Sequence, residues 1–171
     1  GEDPIEAHYT RNLPAQGTPF TIAQGLRRDP MVMDAEMLEA QLASLEERTL
    51  TAGKSAVVIG IFADHEALRA ETIERYTRIS DSTGYTVMLS NGFDTPPVPS
   101  AWGGPLDTSD PLQHELAVVM VGPDWSGMTV GKRRPAPGTD GRTEYDVYVT
   151  TDRYACVDAA RSVMSRIRAL R

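Results

Sequence analysis

Cysteine is almost absent from this chain. The single Cys156 excludes an intrachain disulfide, and its place on an apolar helical stripe reads as a buried structural thiol. Long apolar runs are also missing: none approaches the roughly 20 residues that a membrane-spanning helix needs, and no charged-then-apolar leader opens the sequence. Positive charge is short, with 17 Lys and Arg against 24 Asp and Glu, a net charge of −7. Such a chain repels nucleic acid and anionic lipid, so direct binding to either is disfavoured and a cytoplasmic location is expected.

Signatures of chemistry are scarce too. Gly103-Gly104 runs into Pro105 and does not join a strand to a helix, so neither a phosphate loop nor a dinucleotide fingerprint is present. His8, His65 and His114 lie far apart with no His-Glu-x-x-His among them, and no metal site or particular cofactor is expected. There is no Gly-x-Ser-x-Gly elbow, and Cys156 has no visible catalytic partner.

What the sequence does contain is a compact α/β nucleus. Ser55–Phe62 is too short for a globular helix, is rich in β-branched residues and shows no alternation, so it predicts a strand covered on both faces. From about Asp64 to Asp81 a helical period places Leu68, Thr72, Tyr76 and Ile79 on one face, and Tyr85–Leu89 begins the next strand. Strand, helix and strand make a βαβ crossover.

Around this nucleus, residues 1–30 carry four prolines and no sustained period, which reads as a linker or arm, with Phe20–Leu26 apolar enough to dock. The domain proper is expected over 31–171. Asp34 is placed to cap a first helix whose apolar face is Met37, Leu38, Gln41, Leu42 and Leu45. Glu36, Glu39, Glu46 and Glu47 form its solvated side. Thr95–Pro111 reads as a Pro/Gly-rich loop ordered by Trp102. Leu116–Val121, a short strand through Met128–Val130 and Tyr145–Val149 form a meander, and Asp152 caps a closing helix. The fold class is α/β, a single domain with a mixed sheet of about five strands and helices packed on it, in the order helix-β-α-β-β-β-β-α.

Ligands of open α/β sheets gather beyond the carboxyl ends of strands, which singles out His65 in the first turn after the core strand, with the aromatic Phe62 at the strand's end. Phe93, Asp94, Trp102 and Trp125 join them as ligand-binding candidates, the aromatics as surfaces for a flat ligand and the loop around Trp102 as a roof.

Three pieces in their order and spacing resemble one known family. Gly60-Ile61-Phe62-x-x-His65, Asp110-Pro111-Leu112-x-x-Glu115 leading into Val118-Val119-x-Val121-Gly122-Pro123, and Val149-Thr150-x-Asp152 with Val157 and Ala159-Ala160-Arg161 are similar to the DICT domain of diguanylate cyclases and two-component systems. The resemblance covers about Asp34 to Leu170. It implies a non-catalytic bacterial sensory input domain joined to an output domain, answering to a small-molecule ligand or a regulatory partner and capable of homodimerising. Two other classes stand beside it: an interaction module with no small ligand, and an enzyme with an unfamiliar site around His65, Asp94 and Glu115.

Overall fold

A computed structural model describes residues 17–62 and 68–169. A single sheet organises them, with the strand order β1-β7-β6-β5-β2-β3-β4. In chain order the elements are α1 (Pro19–Gln24), β1 (Met31–Asp34), α2 (Ala35–Thr49), β2 (Val57–Phe62), α3 (Ala70–Ser82) and β3 (Tyr85–Ser90). There follow β4 (Trp102–Pro105), a 3-10 turn (Pro111–His114), β5 (Glu115–Val121), β6 (Ser126–Arg133), β7 (Glu144–Thr150) and α4 (Arg153–Ala169).

The mixed α/β sheet has seven strands where about five were expected, the additions being the two edges, β1 and β4. β2 and β3 are parallel, as a βαβ unit requires, and β5, β6 and β7 form the antiparallel meander. β2 lies between β3 and β5. Its side chains alternate between two cores: Ile59 and Ile61 join the residues of α1 and α4, while Val58 joins Tyr76 and Ile79 of α3. Both faces are covered, so every position can be apolar. α2 lies on the same face as α3, with Leu38 packed against Val147 and directly over Gly131.

Several local expectations need correction. α3 starts at Ala70 with Arg69 as its N-cap, and not at Asp64. Within the expected loop Thr95–Pro111, pairing to β3 makes Trp102–Pro105 a strand. On α2, Asp34 does cap the helix, accepting from Met37 N at 2.8 Å, but the Met37 side chain is 54% exposed while Glu46 is only 4% exposed. Glu46 follows Leu42 by four residues, which puts it on the packed side of the helix and not on the solvated one.

Candidate functional site

The carboxyl end of β2 delivers Phe62 to a gap between α2 and α3. The two helices meet there through a seam of opposite charges, α2 supplying carboxylates and α3 with its N-cap supplying guanidinium groups. Arg69 Nη2 stands 3.6 Å from Glu39 Oε2, and Arg78 Nη2 3.5 Å from Glu47 Oε1, both in solvent-exposed pairs worth about 0–1 kcal/mol each. Between these pairs the helices leave a cleft of about 430 Å³. Phe62, Leu42, Leu68 and Leu116 give it apolar walls, and among the described residues its charged lining has four carboxylates, Glu36, Glu39, Glu46 and Glu71, against Arg69 and Arg75.

Glu46 and Arg75 form the inner part of the cleft. Arg75 Nε lies 3.7 Å from Glu46 Oε1 and 3.8 Å from Glu47 Oε1, with the Arg75 side chain 13% exposed. These are ion pairs without hydrogen bonds: Arg75 Nε and Nη1 are buried and have no hydrogen-bond partner among the described residues. Tyr76 completes the trio. Its hydroxyl and the Glu46 carboxylate are near enough to affect each other's titration, yet the hydroxyl makes no well-aligned hydrogen bond. Burial pushes the Glu46 carboxyl above its ordinary range, against the pull of Tyr76 and Arg75; burial, and then the charge of Glu46, holds the Tyr76 phenol well above its own. Unmet polar groups at such depth are costly, and a site that completes their contacts on binding gains by it.

The structure divides the residues expected from sequence to bind a ligand. Phe62 and Phe93 come together, ring centroids 6.4 Å apart, and Phe62 meets Tyr76 edge-on at 5.3 Å. Phe62 lines the cleft, whereas Phe93 is buried in the core behind it. Asp94 is exposed and does not line the cleft. Trp102 sits on the edge strand β4 and stacks on Tyr85 at the start of β3, 5.8 Å away and 17° from parallel, so it does not roof the carboxyl end of β2. Trp125 lies in the β5–β6 turn beneath Arg48, at the opposite end of the sheet from Phe62. His65 falls outside the described residues.

Of the alternative catalytic set, Glu115 is buried on the far face, where its Oε1 accepts the Phe20 N–H at 2.8 Å, and Asp94 does not join it there. Cys156 is fully buried on α4, its thiol pushed up to about 11 chiefly by burial. Among the described residues no group of three His, Cys, Asp or Glu is placed to hold a metal ion, and no helix is long and apolar enough to cross a membrane.

Glu46, Arg75 and the role of Tyr76 are not evident from the sequence. The signal available for Glu46 was its four-residue spacing from Leu42; for Tyr76 it was the expected burial, which carried no hint of a carboxylate neighbour. Comparison with known proteins adds no relative: no protein-family model, no curated protein and no solved structure matches the chain.

Proposed function

We propose that this domain is a non-catalytic sensory module that binds a small polar ligand in the α2–α3 cleft. The observation that carries this reading is the cleft itself, about 430 Å³ beside Arg75, whose buried Nε and Nη1 make no hydrogen bond among the described residues. Its position beyond the end of β2 is where open α/β sheets hold ligands. The acidic excess of its lining favours a zwitterionic or cationic ligand over a cyclic dinucleotide, whose two phosphates would face four carboxylates. The DICT-like pattern of the sequence supports a sensory role in bacterial signal transduction, with an output domain as the receiver. A ligand that holds α2 and α3 in one arrangement better than in another shifts the population between them, and that difference is the signal.

Thermal melting of the protein against a panel of free amino acids, amines, carboxylic acids and cyclic dinucleotides tests the reading. At least one amine-bearing compound is expected to raise Tm, and Ala40→Trp, which fills the cleft from an exposed lining position, is expected to abolish the rise. A shift that survives Ala40→Trp moves the site elsewhere. A panel without any shift counts against a small-molecule sensor.

A further inference from the structure

The charges that line the α2–α3 cleft are unevenly matched between its rim and its interior. The pairs Glu39–Arg69, Glu46–Arg75 and Glu47–Arg78 advance together along both helices, so α2 and α3 run in the same direction and their first turns meet at one end. Glu36 lies in the first turn of α2 and Glu71 in that of α3, both exposed and both lining the cleft. Neither has an ion-pair partner among the described residues. The rim thus holds carboxylates that no guanidinium compensates. Farther in, the surplus is of donors: Arg75 Nε and Nη1 make no hydrogen bond, since Glu46 and Glu47 stand 3.7 and 3.8 Å from Nε.

We infer that the cleft takes an α-amino acid with an apolar side chain, its ammonium group held by Glu36 and Glu71 and its carboxylate by Arg75. The inference rests on the reading of the cleft as a ligand site and adds which groups of the ligand are recognised. Glu71 and Arg75 are four residues apart on one helix, which sets their Cβ atoms about 5–6 Å from each other on a single face. Both line the cleft, yet they are not ion-paired with each other. An ammonium and a carboxylate joined through one carbon suit such a gap, with opposite charge presented to each end. A plain amine would leave the Arg75 N–H groups unmet, and a plain carboxylic acid would bring its charge past the rim carboxylates with nothing to offset them. The apolar walls, Phe62 and Leu68 among them, and a volume of about 430 Å³ accept a side chain as large as a phenyl ring.

Recognition from both helices also supplies the difference between states that a sensor needs. An ammonium group held by α2 and α3 at once favours the arrangement in which their first turns are close, where the exposed Glu39–Arg69 pair alone contributes little.

Isothermal titration calorimetry of the full chain with L-phenylalanine, phenethylamine and 3-phenylpropanoate tests the inference, because each analogue lacks one of the two charged groups. L-Phenylalanine is expected to bind roughly tenfold or more tighter than either analogue. Glu71→Gln, at an exposed position, is expected to weaken L-phenylalanine and phenethylamine by roughly threefold or more and not to weaken 3-phenylpropanoate. Glu74→Gln, exposed on α3 but outside the cleft lining, is expected to change none of them. Far-UV circular dichroism checks that both variants are folded. Phenethylamine or 3-phenylpropanoate binding as tightly as L-phenylalanine, or L-phenylalanine binding unmoved by folded Glu71→Gln, would overturn the inference while leaving a small-molecule site in place. So would a failure of both L-phenylalanine and L-leucine to bind at millimolar concentration while another compound raises Tm in a manner that Ala40→Trp abolishes. No thermal shift with any compound would overturn the inference together with the reading on which it rests.

Discussion

Tyr76 of α3 lies across Gly60 of β2, so that a Cβ built on Gly60 would collide with the phenol oxygen and come within 2.7 Å of Cζ. The same Cβ would stand 2.8 Å from Cζ of Phe62. The glycine is therefore required for close packing and not for backbone freedom. Elsewhere in a strand, Gly→Ala gains about 0.5–1 kcal/mol. Gly60→Ala is instead expected to destabilise by about 1–3 kcal/mol through overpacking. In a Tyr76→Phe background the cost should fall, because the nearest clashing atom is gone, giving a coupling of about 0.5 kcal/mol or more in a urea-denaturation cycle. Strict additivity of the two substitutions would show that this contact does not set the packing.

Glu46 gives the fold a pH dependence whose sign follows from its burial. Its carboxyl is raised above the ordinary glutamate value of about 4.5, so the folded chain binds more protons than the unfolded chain in the range just above that value. The contribution is fully present below the unfolded pKa and is lost as pH rises through the folded one. Glu46→Gln removes it. The stability of the wild type minus that of Glu46→Gln is thus expected to fall as pH rises from 4.5 and then to level off. Denaturant titrations at a series of pH values measure that difference; a difference that grows with pH would mean that the Arg75 pairing outweighs desolvation.

The sequence carried the central elements because their signals were local. Ser55–Phe62 and Leu116–Val121 are continuous apolar runs, and burial on both faces needs nothing more. The edges were not legible for the converse reason. Trp102-Gly103-Gly104-Pro105 has little preference for extended structure and is a strand because β3 offers it partners. Met31–Asp34 is four residues long and gains its shape from β7. Glu46 was hidden among carboxylates that do face water, and only Arg75 and Tyr76 on the next helix account for its depth. Trp102 stacks on Tyr85, which belongs to the wrong end of the sheet for a lid over Phe62.

Glu115 performs for the arm what no local signal announced: it ties α1 to the sheet. Its Oε1 receives the Phe20 N–H at 2.8 Å, and Arg166 donates to Gly17 O at 3.0 Å from the other side. Phe20 and Ala23 are thereby held in the core with the residues of α4. A six-residue helix has no stability of its own in water, so these contacts decide whether it forms. Glu115→Ala leaves the Phe20 N–H buried without an acceptor, a cost of about 1–3 kcal/mol. Glu115→Gln keeps an acceptor oxygen and should lose less. Hydrogen exchange of the amides in α1 reads this directly: exchange there should accelerate in Glu115→Ala while β2 and β3 keep their protection. Unchanged exchange in α1 would show that apolar packing alone anchors the arm, and acceleration throughout the sheet would show that Glu115 supports the core as a whole.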